Sequence, residues 1–155
     1  MRKPDLRYWD TCCFLAWLKN EDGFADACED VIKSGELGQC VIVTSAITLT
    51  EAYKLKGCVP VDEAARMRLQ DFFSRSYIRV RNLDRFVAES AASLMHKHLS
   101  LAPKDAIHVA TALRHSIPRL DTFDQKLLAL APEFAPSGMV IGVPDRLSQR
   151  TLSLG

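Results

Sequence analysis

The sequence predicts an α/β domain of three layers, with a mainly parallel central sheet between two layers of helices. Three observations carry that prediction. Short apolar runs alternate with stretches of helical periodicity along the chain. Runs such as QCVIVT (39–44) are too uniformly apolar to leave one face in water. The 155 residues, 48% hydrophobic and 25% charged, are enough to bury a substantial core.

The elements follow in order. LRYWD (6–10) reads as a short strand ending at Asp10, with a helix beginning around Phe14. Phe24, Cys28, Val31 and Ile32 recur at helical spacing between Asp22 and Ser34, and Gly35 offers a stop. QCVIVT is a buried strand. Ser45 suits the cap of a helix over AITLTEAYKLK (46–56), which stops near Gly57. A helix after Pro60 turns Ala65, Leu69, Phe72 and Phe73 inward. YIRVR (77–81) is a strand, and Asp84 caps a helix with Val87, Ala91, Leu94 and Met95 on one face. Pro103 opens the next helix, whose core face is Ala106, Val109, Ala110 and Leu113. RLDT (119–122) is a strand, DQKLLAL (124–130) a short helix and GMVIGV (138–143) a last strand. One domain over residues 1–145 and a weakly ordered tail over 146–155 are expected, with no linker or repeat to divide the chain.

Several function classes are disfavoured. The net charge is +1, from 20 basic and 19 acidic residues, so the chain is not globally cationic, although a local basic patch is compatible with it. Cys12, Cys13, Cys28, Cys40 and Cys58 are odd in number and lack a CxxC pair, which predicts reduced, mostly buried thiols. MRKPDLRYWD has no apolar signal core and no run reaches transmembrane length, so a soluble, cytoplasmic protein without membrane association is expected. Neither GxxxxGK[ST], GxGxxG nor GxSxG occurs. A phosphatase with Asp10 as nucleophile would want a second aspartate where Cys12 stands.

Four carboxylates are placed by this fold near one edge. Ligands of parallel sheets bind beyond the carboxyl ends of the strands. Asp10 ends the first strand, Glu51 lies early in the helix after the second, Asp105 opens its helix, and Asp124 follows RLDT. Each alone is an ordinary strand-end or helix-start residue; for Asp105 the helix dipole alone is worth ~0.3–1 kcal/mol. Together they pose an electrostatic problem. Two carboxylates ~4 Å apart repel by about 4 kcal/mol at an effective dielectric of 20, against a typical stability of ~5–15 kcal/mol. Such a group must be protonated, spread apart or neutralised by a cation. All-oxygen donors favour Mg²⁺ or Mn²⁺, and with them metal-assisted hydrolysis of a phosphodiester.

The segments YWDTCCFLAWL, TSAITLTEAYKL, PKDAIHVATAL and RLDTFDQKLL resemble PIN-domain nucleases, most of all the VapC toxins of type II toxin–antitoxin pairs. DAIHVATAL followed closely by TFDQKLL is the most specific part, and the four segments extend over nearly the whole chain. The resemblance implies a PIN-like fold and a divalent-metal-dependent endoribonuclease. Asp10 and Asp105 would be the principal metal ligands, with Glu51 and Asp124 acting directly or through water. Thr122 matches a frequent Ser/Thr before the last acid; Asp121 is less usual there and rivals Asp124. Thr11, His108, Lys104 and Lys126 are further expected contacts to substrate or to the ligands. A small antitoxin laid over the acidic pocket and a homodimer are the implied partners, besides RNA. A PIN-fold binding module or a solitary nuclease is the alternative.

The remaining signals are weaker. His108 is one turn beyond Asp105 and about 60° around the helix. His96 and His98 point to different sides of a helix and make a poor metal pair. Lys54, Lys56, Arg79, Arg81, Lys104, Arg114, Arg119 and Lys126 are candidates for phosphate contacts, Lys104 and Lys126 the best placed. Trp9 and Trp17 suit core or interface anchoring. CCFLAWL is too apolar for one helix face, which hints at burial against a partner.

Overall fold

Among the described residues, five strands, all parallel, form one sheet in the order β3-β2-β1-β4-β5: β1 Asp5–Trp9, β2 Cys40–Ser45, β3 Ile78–Arg81, β4 Arg119–Asp121 and β5 Val140–Gly142. The computed structural model describes residues 2–53 and 63–145, without the side chain of Ala65. The expected end of the third helix near Gly57, Cys58, Pro60, Lys54, Lys56 and the 146–155 tail lie outside the described residues. Leu6 pairs with Val41, Ile42 with Ile78, Tyr8 with Leu120 and Leu120 with Ile141. The sheet is therefore entirely parallel where a mainly parallel one was expected.

Successive strand side chains point to opposite faces, and the chain fills both. Tyr8, Val41, Val43 and Leu120 join one core with Val87, Ala91, Ala106, Val109, Leu127 and Phe134. Trp9, Cys40, Ile42 and Ile78 join the other with Phe14, Cys28, Val31, Leu69, Phe72 and Phe73. Helices α1 (Thr11–Leu18), α2 (Ala25–Glu36), α3 (Ala46–Ala52) and α4 (Glu63–Phe73) thus serve one face. Helices α5 (Arg85–Lys97), α6 (Pro103–Arg114), α7 (Gln125–Ala129) and α8 (Ala131–Phe134) serve the other. Two buried faces explain why the strands read as continuous apolar runs.

The caps set several boundaries. Ser45 and Asp84 accept from Ile47 N and Val87 N and start α3 and α5 as expected. Helix α1 starts at Thr11, earlier than the expected Phe14, because Asp10 is its N-cap. Gly35 does not stop α2. It is buried in the last turn, where an added Cβ would come 2.6 Å from Cδ2 of Tyr77. The stop is Gly38, at φ +76°, a left-handed conformation that glycine adopts without strain. Helix α8 and the 3-10 turn at Ala135–Ser137 that follows it are additions to the elements expected from the sequence.

Topology then positions the site. The chain builds outward from β1 through β2 to β3, and returns to lay β4 on the other side of β1. The crevice beyond the carboxyl ends of β1 and β4 is the switch point where parallel sheets take ligands. Asp10 follows β1, and Thr122 and Asp124 follow β4. No described helix is long and apolar enough to cross a membrane.

Candidate active site

An open cavity of about 860 Å³ sits over this crevice. Asp10, Glu51, Asp105 and Asp124 all line it, with Thr11, Cys12, Lys104 and His108. Four elements deliver the acids. Asp10 caps α1, Asp124 caps α7, and Asp105 lies in the first turn of α6, so three helix N-termini direct partial positive charge towards the carboxylates. Glu51 comes from the last turn of α3.

Asp10 is 4% exposed. Its Oδ1 accepts from Cys12 Sγ at 2.8 Å and from the amide of Cys13 at 3.4 Å, and its Oδ2 accepts from Thr122 Oγ1 at 2.5 Å. Burial, followed by the charge of Cys12, pushes the Asp10 carboxyl well above the usual carboxylate range. Hydrogen bonding with Cys13 first, and with Asp10, Phe123 and Thr122, outweighs burial at Cys12 and draws its thiol down to about 6. Asp105 is also raised, by burial and then by the charges of Asp124 and Glu51, against the opposing pull of His108 and Lys126. Glu51 differs. Burial raises it, but hydrogen bonds from His108 and Thr11 and the charges of His108 and Lys104 together prevail, leaving it below its ordinary value.

The residues around the acids form two braces. Thr11 Oγ1 donates to Glu51 Oε1 at 2.8 Å, and His108 Nε2 lies 3.4 Å from the same oxygen. The other His108 nitrogen, Nδ1, is held 2.6 Å from the hydroxyl of the buried Tyr8, so both ring nitrogens are engaged. Lys104 Nζ stands 3.6 Å from Glu51 Oε2. On the opposite side, Thr122 Oγ1 donates to Asp10 and accepts from the amide of Asp124 at 3.0 Å, while Asp124 Oδ1 accepts from the amides of Lys126 and Leu127. Thr122→Val keeps the shape and removes this link. Its expected result is a loss of about 10–100-fold in divalent-ion affinity with little change in melting temperature, measured by titration calorimetry and thermal unfolding.

Asp121, the rival to Asp124, is turned elsewhere. It is fully buried, and its two oxygens accept from Arg7 Nε and Nη2 at 2.8 and 2.9 Å, Trp9 Nε1 at 2.9 Å and Arg119 Nε at 2.8 Å. It is a structural anion that joins β1 to β4. Arg119 is thereby occupied as well, and Arg114 lies over the ring of Phe86, 4.3 Å from its centroid. His98 pairs with Glu133 and is not part of the site. Trp9 is a core residue, and Trp17 stacks on Phe72. Cys13 and Cys28 are buried free thiols, as expected, and Cys40 is buried in the core, whereas Cys12 lines the cavity. Tyr8 and Cys12 were not picked out as site residues from the sequence. Cys12 had a legible signal in its place two residues after Asp10, on the first turn of the same helix.

The donor chemistry fits a hard divalent cation. The acids line a common cavity without collapsing together: among the described residues, the group of three potential ligand atoms within 4.8 Å of one another is Asp10, Cys12 and Cys13. Burial leads in raising the proton affinity of both Asp10 and Asp105, and at Asp105 the charges of Asp124 and Glu51 add to it. A wide carboxylate ring suits an ion such as Mg²⁺, which keeps several waters and binds through one or two carboxylates.

Comparison with known proteins agrees with this architecture. VapC20 of Mycobacterium tuberculosis, described as a sarcin–ricin-loop-cleaving toxin, superposes with a TM-score of 0.65 at 20% identity, over 86% of this chain and 96% of that one. A toxin–antitoxin complex from Klebsiella pneumoniae gives 0.59 at 20% identity, over 91% and 99%. FitAcB from Neisseria gonorrhoeae gives 0.59 at 21%, over 89% and 97%. At these identities the likeness is one of fold. No curated protein matches the chain. The PIN domain family model matches residues 7–132, most of the sequence and every acid of the cavity. The chain belongs to the PIN domain family.

Proposed function

We propose that this protein is a divalent-metal-dependent endoribonuclease and the toxin of a type II toxin–antitoxin pair. One observation carries the reading: four carboxylates from four separate elements line one open cavity, with Lys104 among its lining, at the switch point of a parallel sheet. Asp10 and Asp105 would hold the ion, Mg²⁺ or Mn²⁺, with Asp124 alongside them. When bound, such an ion offsets charge developing on a phosphodiester and makes water a better nucleophile.

The chain's own groups supply the rest. Glu51 is held below its ordinary value by hydrogen bonds from His108 and Thr11 and by the charges of His108 and Lys104, and so is suited to orient the attacking water as an ionised acceptor. Thr122 fixes Asp10 relative to Asp124. Lys104 and Lys126, both exposed, would meet the phosphates that flank the scissile bond. RNA as substrate and a small antitoxin as partner are supported by the descriptions of the structural neighbours. A homodimer in the cytoplasm is part of the same reading, and the exposed Leu18 on the apolar helix α1 is compatible with it.

The test is incubation of the purified, antitoxin-free protein with a mixed structured RNA and a matched DNA, in Mn²⁺, Mg²⁺ or EDTA. The expected result is RNA cleavage that needs the metal and stops in EDTA. A folded protein that cuts no RNA with any metal would overturn the reading and favour a binding module; cleavage of DNA alone would overturn the RNA assignment.

A further inference from the structure

The most compact donor group of the described residues is not the carboxylate ring but the mixed set Asp10, Cys12 and Cys13, whose oxygen and sulfur atoms lie within 4.8 Å of one another. Its members are unequal. Cys13 is fully buried and its Sγ donates to the carbonyl of Asp121 at 3.3 Å, so it stands behind the site. Cys12 is partly exposed, lines the cavity, and holds its sulfur 2.8 Å from the Asp10 oxygen that an ion would share. Oxygen-only donors select hard ions, whereas a sulfur donor beside a carboxylate selects softer ones.

We propose that Asp10 and Cys12 form an oxygen–sulfur edge that takes a thiophilic divalent cation of the zinc class, in competition with the hard ion of the catalytic site. The inference rests on the nuclease reading only for the consequence of binding, not for binding itself. On binding, the proton shared between Cys12 Sγ and Asp10 Oδ1 leaves to solvent, sulfur and carboxylate each donate an electron pair to the ion, and the hydrogen bond gives way to shared ligation. The ion then occupies Asp10, and a hard ion can no longer use that carboxylate.

The test uses Cd²⁺ as a spectroscopic stand-in for Zn²⁺, on protein in which Cys58, outside the described residues, is changed to serine. The expected result is an ultraviolet sulfur-to-metal charge-transfer band that saturates at one Cd²⁺ per chain. Cys12→Ser abolishes the band and weakens Zn²⁺ affinity by about ten-fold or more, whereas Cys28→Ser leaves both unchanged. Cys12→Ala serves as the second variant, with circular dichroism confirming that each protein is folded. A band that survives both Cys12 variants, or Zn²⁺ binding equal in all of them, overturns the proposal. The optical titration reads binding in a protein that cuts nothing, so failure of the nuclease reading and failure of this one are distinguishable. Where cleavage is present, Zn²⁺ inhibits the Mn²⁺-supported reaction at lower concentration in the parent than in Cys12→Ser.

Discussion

Under the proposed nuclease reading, the expected result of Asp105→Asn is loss of metal-dependent RNA cleavage, by at least about 100-fold, with a metal-free protein at least as stable as the parent. Both halves follow from the same charge. Asp105 faces the cavity with Asp10, Asp124 and Glu51, and a neutral amide there removes one of the anions that make the cavity attractive to a cation. Without metal, that anion is a burden: burial and the charges of Asp124 and Glu51 raise its proton affinity above the ordinary value.

The sign of the pH dependence is fixed. A carboxyl whose folded-state pKa lies above its unfolded value binds more protons in the folded state, so stability falls as pH rises between the two values. Below the unfolded pKa the ionised form costs nothing, and above the folded pKa the cost is complete. The stability advantage of Asp105→Asn therefore emerges as pH rises from the ordinary carboxylate range and then levels off, read by denaturant unfolding in EDTA across pH. If the only role of Asp105 were to complement the α6 dipole, the variant would instead lose ~0.3–1 kcal/mol at neutral pH. A destabilised variant that still cleaves would remove Asp105 from the site.

What the sequence revealed, and what it concealed, has physical causes. The central strand QCVIVT was legible because burial on both faces leaves an uninterrupted apolar run; the partly exposed strands were legible as short apolar or β-branched stretches between helices. The alternation of strand and helix was enough for the parallel sheet, and with it the common edge that holds the four acids. Cap chemistry was legible at Ser45 and Asp84, where capping is the residue's whole local task. At Asp10 it was concealed, because one carboxylate both caps α1 and faces the cavity, and the helix start was placed three residues late. Gly35 misled for a related reason. A glycine near a helix end reads as a stop, whereas here it lets Tyr77 approach the helix backbone, a contact that only the fold defines. Asp121 and Asp124 were inseparable in sequence because both flank the end of β4. Three residues of chain turn one carboxylate into the core beside Arg7 and the other over the cavity.

That separation sets the largest expected effect on stability. Asp121→Ala destabilises the fold by about 3–5 kcal/mol, because it leaves the buried Arg7 guanidinium without its principal counter-ion. Arg7 is 1% exposed. Burial opposes its charge, and the hydrogen bonds and charges of Asp121, and then of Asp145, overcome that opposition and raise its proton affinity. Asp145 cannot substitute alone: it reaches Nη2 through one oxygen at 3.0 Å and is itself 36% exposed. The indole of Trp9 and the guanidinium of Arg119 lose their acceptor in the same step. A loss of this size is a large share of a typical stability of ~5–15 kcal/mol. The ion pair is nevertheless not a net gain over apolar packing. Arg7 Nη1 is buried with no hydrogen-bond partner among the described residues, so the pair already carries unpaid desolvation. Arg7→Met with Asp121→Asn should therefore cost less than the two single substitutions added, with a coupling of about 0.5–3 kcal/mol in a double-mutant cycle. Asp121→Asn, the mildest single change, keeps RNA cleavage per folded molecule near the parental level at a temperature well below its melting point. Cleavage lost in proportion to Asp124→Asn, from a folded protein, would instead make Asp121 the fourth acid and turn β4 around in its role.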